Sequence, residues 1–313
     1  MKILITGSDG LIGSFLKKHL RQQGIDVVGI DLKSKDESEF GDVRDAACLR
    51  KKMSGCSGVI HLAAISRVVH AQNDPIKCWE TNVRGTNHLL REALSFSKKP
   101  WVIFASSREV YGQQDSLPVH EDSGLKPMNV YGCAKVAGEM ECMYARSLGL
   151  NLSVVRFSNV YGGVEDHEDR VVPAFVRGVI SHCTHRIEGA DNIFDFTHVE
   201  DVVQGLVKLI ALMNSKAAEE FLPPIHFVSG RGTTLQELSS IIHTAADSTP
   251  IAQIVPPRTF DVHSFIGDPK RAQNLLGWKA ELALEDGIKR LLDQLQEIGN
   301  ENFKNYSRIS NTL

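Results

Sequence analysis

No run of about 18 apolar side chains occurs anywhere in the 313 residues, so a helical membrane span is not expected. The opening Met1-Lys2-Ile3-Leu4-Ile5 resembles the start of an export signal, but its apolar run stops at Thr6-Gly7-Ser8-Asp9, too early for a signal core. Charge of one sign is scarce as well: 35 Lys and Arg face 38 Asp and Glu, a formal net charge of −3. General attraction to nucleic acid or to an anionic membrane is therefore not expected, and any anionic ligand must be met by locally placed arginines and backbone amides. The six cysteines (Cys48, Cys56, Cys78, Cys133, Cys142, Cys183) include no C-x-x-C pair and no His/Cys ligand spacing. They read as reduced thiols of a cytoplasmic protein, with no metal site. Internal repeats are also missing.

What is present is ordinary globular composition, 42% hydrophobic and 23% charged, enough for a sizeable core. Lys2 to Thr6 reads as a strand, residues 11–23 as a helix with apolar Leu11, Ile12, Phe15, Leu16 and Leu20, and Val27 to Ile30 as a second strand. The alternation continues through strands at Gly58–Leu62, Trp101–Phe104 and Leu152–Arg156, with helices around 81–97 and 129–148. Strands alternating with helices predict an α/β fold with a doubly wound parallel sheet. After residue 162 the alternation fades into proline-rich loops and shorter elements. The expected organisation is a first domain over 1–165, a smaller and discontinuous substrate domain over 166–299 with a helix near 198–213 returning to the sheet, and a polar tail over 300–313.

Gly7, Gly10 and Gly13 follow the first strand and open the first helix, a spacing that allows a tight turn, close backbone approach to a pyrophosphate and close helix packing. About 18 residues beyond Gly13, Asp31 ends the second strand, where a carboxylate accepts hydrogen bonds from the adenosine ribose and repels a 2′-phosphate. This favours NAD over NADP, a preference softened by Lys33 and Lys35. Asp42-Val43 offers a carboxylate for the adenine amino group, and Leu62-Ala63-Ala64 offers small residues beside the pyrophosphate. His61 before them reads as a satisfied strand-end imidazole.

Tyr131 and Lys135 stand four residues apart, so on a helix they share a face. The ammonium then sits near the phenol and favours its ionised form. Bringing a phenol of pKa about 10 near neutrality takes roughly three units, or about 4 kcal/mol.

With Thr6-Gly7-x-x-Gly10-x-x-Gly13, His61-Leu62-Ala63-Ala64, Thr81-Asn82-Val83, Ser106-Ser107-x-x-Val110-Tyr111-Gly112, Tyr131-x-x-x-Lys135 and Arg156-Phe157-x-Asn159-Val160-Tyr161-Gly162 in order, the sequence resembles extended short-chain dehydrogenase/reductases, closest to the nucleotide-sugar epimerase/dehydratase group. The resemblance covers roughly residues 1–295 and implies a Rossmann fold, bound NAD, a nucleoside-diphosphate sugar as substrate, and a homodimer through two helices of the first domain. It implies Tyr131 as base and acid, Lys135 as its partner and holder of the nicotinamide ribose, and Ser107 as the hydroxyl on the reacting sugar oxygen. Leu11 and Ile12 in the glycine turn, Asn82 on the nicotinamide side, and Phe157 join the cofactor contacts. Asn159 matches a contact to substrate phosphate or sugar, Arg258 the grip on the diphosphate, and Val171 with Val172-Pro173 the frame of the nucleotide base.

Two departures stand out. The segment Phe194-Asp195-Phe196-Thr197-His198-Val199 matches a motif that usually begins with arginine, so one phosphate contact is missing or comes from a residue such as Arg231 or Arg186. Between Ser107 and Val110 the pair Arg108-Glu109 replaces the acid pair of dehydratase-like members, leaving Glu109 as the one potential base. Arginine holds its proton, so dehydration is disfavoured. The leading expectation is an NAD-dependent nucleotide-sugar 4-epimerase working through a transient 4-keto sugar. The alternatives are a decarboxylase, dehydratase or reductase of the same family and, in a different class, a non-catalytic NAD-binding protein.

Overall fold

Short β-branched runs, each followed by a turn and an amphipathic helix, build the first half of the chain. In order these are β1 (Lys2–Thr6), α1 (Leu11–Gln22), β2 (Asp26–Ile30), α2 (Ala46–Met53), β3 (Gly58–His61), α3 (Val68–Asn73), α4 (Pro75–Trp79), α5 (Gly85–Ser95), β4 (Trp101–Ser107), α6 (Val130–Ser147) and β5 (Leu152–Phe157). The second half contains β6 (Asn159–Tyr161), α7 (Val171–Ile180), β7 (His185–Glu188), β8 (Ile193–His198), α8 (Val199–Met213), β9 (Ile225–Phe227), β10 (Gly232–Thr234), α9 (Leu235–Ala245), β11 (Ala252–Val255), β12 (Ser264–Phe265), α10 (Lys270–Leu276) and α11 (Leu284–Ser310). The structure is a computed structural model that describes residues 1–215, 222–249 and 252–310, with side chains through residue 298.

Six strands form one parallel sheet in the order β2-β1-β3-β4-β5-β9. Both faces are covered, which is why the strands are apolar throughout. Leu16 and Leu20 of α1, Leu206 and Leu209 of α8 and Trp278 pack on one face. Leu49 of α2, Leu89 of α5 and Cys142 of α6 pack on the other. Strand order reverses at β1, and a parallel sheet opens a ligand crevice beyond its carboxyl ends at such a reversal. Thr6 is level with both Ile30 and His61, and His61 with Phe104, so β4 runs on through Ala105 and Ser106 to carry Ser107 past the end of β3, level with Phe157 of β5.

The smaller unit centres on β8, which pairs with β10, β12 and β6, while β7 pairs with β11. Its apolar core joins Phe175 of α7, Leu238 and Ile242 of α9, and Ile288 and Leu291 of α11.

Three features differ from the sequence expectation. The region after 165 returns a strand to the main sheet, β9, as well as a helix; three residues beside Pro223-Pro224 are too few to show a period. The helix expected around 81–97 is interrupted by a π turn over Glu80–Arg84 and continues backwards into α4. The backbone expected as a polar tail stays helical to Ser310, because extending a formed helix is far easier than starting one. Residues 311–313 of that tail lie outside the described residues. Among the described residues no helix is long and apolar enough to cross a membrane.

Candidate active site

A cavity of about 1370 Å³ runs from the carboxyl ends of the main sheet into the smaller unit. Gly7, Gly10, Leu11, Ile12, Gly13, Asp31, Asp42, Val43, Leu62, Ala63, Ala64, Ser107, Glu109, Tyr131, Lys135, Phe157, Asn159, Val171 and Arg258 all line it, so the structure gathers the motif residues into one place. Asn82, the candidate for the nicotinamide side, does not.

The glycine turn is a backbone surface. Gly7 holds a φ of +71°, and a Cβ at Gly13 would stand 2.1 Å from the Gly7 carbonyl oxygen, so no side chain fits there. Asp31 accepts the backbone N–H groups of Asp9 at 3.1 Å and Lys33 at 2.8 Å, which fix its carboxylate at the cavity wall. The turn-capping role and the ligand-facing position thus coexist. A bare turn at a helix start with a fixed carboxylate beyond it fits a dinucleotide. The Asp42 carboxylate is held by the Arg44 guanidinium, at 2.8 Å to Nε, which keeps it below the usual carboxylate range.

Asn82 has an indirect place. Its Oδ1 accepts from Ile65 N–H at 2.8 Å and its Nδ2 donates to the Ile65 carbonyl at 3.1 Å, so the amide clamps the loop that follows β3. The other end of that loop is tied by Thr6 Oγ1, which accepts from Ala63 N–H at 3.2 Å. His61 lies between the two ties, 2.7 Å from Thr6 Oγ1 and 3.0 Å from Thr86 Oγ1. Thr86 gives its only hydroxyl proton to the Asn82 carbonyl, so His61 Nε2 donates and Nδ1 accepts. Burial pushes the imidazole down to about 3, and it stays neutral. The satisfied strand-end reading of His61 is what the structure displays.

Tyr131 sits in the first turn of α6, whose N-cap Asn129 accepts from Gly132 N–H at 2.8 Å and donates to Glu109 Oε2 at 2.7 Å. One side chain therefore fixes the helix start against the turn that follows Ser107. A Cβ at Gly132 would lie 2.6 Å from the Glu109 carbonyl oxygen, so only glycine permits this approach. The Ser107 hydroxyl accepts from Glu109 N–H at 3.2 Å and lies close enough to Tyr131 to favour its ionised form. Lys135 shares the Tyr131 face, with Nζ 5.8 Å from the ring centroid.

The electrostatics depart from expectation here. Burial pushes the Tyr131 phenol up to about 12, opposed by Arg170 and by the Ser107 hydroxyl, while Glu109 and Cys78 add to the rise. Helical spacing sets the face a lysine shares but not where its flexible stem ends, and this ammonium donates to the Ala105 carbonyl at 2.7 Å. Burial brings Lys135 itself down to about 8. Arg170, which the sequence reading missed and no motif signals, donates to Ser66 Oγ at 3.0 Å and pairs with Asp166 at 3.4 Å.

Further into the cavity, charged side chains take over. Arg258 pairs with Glu188 and, at 4.0 Å, with Asp261. Arg108 pairs with Glu109 at 2.9 Å, donates from Nε to Asn159 Oδ1 at 3.3 Å, and lies 4.6 Å above the Phe194 ring. Of the two arginines offered in place of residue 194, Arg186 lines the cavity and Arg231 does not. Val171 and Pro173, at the start of α7, form part of the far wall.

Residues 3–222 match the model of the NAD dependent epimerase/dehydratase family. The chain is 30% identical over 312 residues to a UDP-glucose 4-epimerase of Mycolicibacterium smegmatis, covering 94% of this chain and 98% of that protein. Among solved structures, MoeE5 in complex with UDP-glucose and NAD matches with a TM-score of 0.87 and 26% identity, over 95% of this chain and 99% of that one. The UDP-glucose 4-epimerase of Thermotoga maritima with UDP-glucose matches with a TM-score of 0.86 and 28% identity, over the same shares.

Proposed function

The chain belongs to the NAD-dependent epimerase/dehydratase family of nucleotide-sugar enzymes, and on that premise we propose that it inverts C4 of a nucleoside-diphosphate sugar through a transient 4-keto sugar. The observation that carries this reading is that Ser107 and Tyr131 line one cavity between its backbone-built part and its arginine-lined part. Bound NAD supplies a reversible two-electron oxidant at C4 and, while oxidised, a positive ring charge. The Gly7–Gly13 turn, Asp31 and Lys135 are the residues that would hold it. Tyr131 as phenolate takes the proton of the C4 hydroxyl as the C4–H bond breaks, and returns it when that bond reforms on the opposite face. Ser107 keeps the same oxygen hydrogen-bonded through both passes. Asn159 and Arg258 hold the sugar–diphosphate, and the wall at Val171 frames the base.

Net elimination of water is disfavoured. It would need an acid beside the C6 hydroxyl, and Arg108 keeps its proton while Glu109 is engaged by Arg108 and Asn129. Incubation with UDP-, GDP-, dTDP- and CDP-hexoses and UDP-uronic acids, read by mass and NMR, tests the assignment. A 4-epimer of unchanged mass is expected; a main product lacking water or carbon dioxide would contradict it.

A homodimer is part of the same reading. Met140, Met143 and Tyr144 of α6, with Leu148 just after it, form an exposed stripe, while the other side of the helix is already buried. Light scattering is expected to give twice the chain mass, and a monomer at micromolar concentration would contradict it. A cytoplasmic location is supported by the free state of all six cysteines.

A further inference from the structure

Phe194 leaves its own position without a cation, yet a guanidinium lies there. Arg108 reaches from the end of β4 across to the smaller unit, stacking 4.6 Å over Phe194 and 5.9 Å from the Phe265 ring centroid. Its Nε is bound to Asn159 and its Nη2 to Glu109, but Nη1 is buried with no hydrogen-bond partner. A buried charged donor left unpaired is unfavourable and calls for an acceptor from elsewhere. Arg258 lines the same cavity as Arg108 and pairs there with Asp261 at 4.0 Å. Two planar donors in one cavity suit a diphosphate, whose two phosphoryl groups present adjacent anionic oxygens.

We propose that Arg108 replaces the arginine missing at position 194 and, with a small turn of its guanidinium that uncovers Nη1, donates to the sugar-side phosphoryl group of the nucleotide sugar, with Arg258 on the same diphosphate. In this arrangement the cation has moved from β8 to the loop after β4, and the vacated position has become the aromatic platform that holds it flat. The inference rests on the nucleotide-sugar reading above. A uronate carboxylate would offer similar acceptor oxygens, and the presence of Arg258 in the same cavity favours the phosphoryl group.

Calorimetry with UDP and UMP on the NAD-loaded protein tests it, because UMP lacks the phosphoryl group in question. Arg108→Met should weaken UDP by roughly 10- to 150-fold, the range for a hydrogen bond to a charged group, and leave UMP within about twofold. Arg108→Lys, which keeps the charge without the planar fork, should show an intermediate loss confined to UDP and covers the case in which Arg108→Met does not fold. Adding Phe194→Arg to Arg108→Met should recover most of the UDP affinity. Unchanged UDP affinity, an equal loss for UDP and UMP, or no recovery in the double variant would overturn the proposal. So would a variant that binds UDP normally but loses a preference for UDP-glucuronate over UDP-glucose, since the cation would then read a sugar carboxylate. Wild-type protein that binds neither UDP nor UMP would remove the nucleotide-sugar reading itself, and this inference with it.

Discussion

The cofactor half of the cavity and the substrate half are built from different materials. Around Gly7 and Gly13 the wall is backbone, with 2.1 Å between a hypothetical Gly13 Cβ and the nearest carbonyl oxygen, and the loop after β3 is tied at Ala63 and Ile65 by buried hydrogen bonds. Across the cavity the wall consists of arginines held by carboxylates: Arg258 on Glu188, Arg108 on Glu109, Arg170 on Asp166. A backbone wall admits one residue type at a few positions, so it changes little. A wall of side chains can exchange one donor for another from a different segment, as long as a guanidinium arrives at the same place. Tyr131 and Ser107 stand at the junction and belong to neither half.

That division predicts which function each substitution disturbs. The largest effect is expected at the junction: Tyr131→Phe should lose about 100- to 10,000-fold in turnover while keeping NAD and UDP, since only the proton acceptor is removed. Turnover and ligand content measured on one preparation check this, and near-normal turnover would break the assignment. Next is Arg258→Ala, which should cost about 1.5–3 kcal/mol of UDP binding with NAD content unchanged. Unchanged UDP affinity would remove Arg258 from the diphosphate site. Gly13→Ala should do the opposite, adding about 1–3 kcal/mol of steric strain and lowering bound NAD, with UDP affinity preserved. Full NAD occupancy in that variant would show that the turn yields more easily than its geometry implies.

Acid should ignore the division. Burial pushes His61 down to about 3 in the cofactor half and His198 down to about 4 in the smaller unit. Below an unfolded pKa of about 6.5 the unfolded chain binds protons that these folded imidazoles refuse, so stability falls as pH falls, by up to about 1.4 kcal/mol per pH unit for each. The thermal midpoint should therefore drop between about pH 6.5 and 4, and His61→Asn and His198→Asn should each flatten the slope. A midpoint indifferent to acid would mean that the imidazoles are not held neutral.

The same contrast explains what could be read from the chain before folding. Gly7, Gly10, Gly13 and Asp31 were legible because their spacing answers a backbone requirement, and the strands of the main sheet because burial on both faces makes them continuous apolar runs. β9 was not, since Ile225–Phe227 is too short to carry a pattern. The role of Asn82 as a clamp on Ile65 depends on a loop 17 residues away in sequence, and the direction of the Lys135 ammonium on rotamers that helical spacing leaves free. Phe194 and Arg108 each looked like an isolated departure; only the folded chain brings them within 4.6 Å.

The central claim is that one tyrosine and one serine at the seam of these halves let C4 lose and regain the same hydrogen. The most direct measurement uses UDP-glucose deuterated at C4, with product NMR after partial conversion in ordinary water. The account predicts a 4-epimer that retains the deuterium at C4. Washout of that deuterium to solvent, or a product with C4 unchanged, would contradict it.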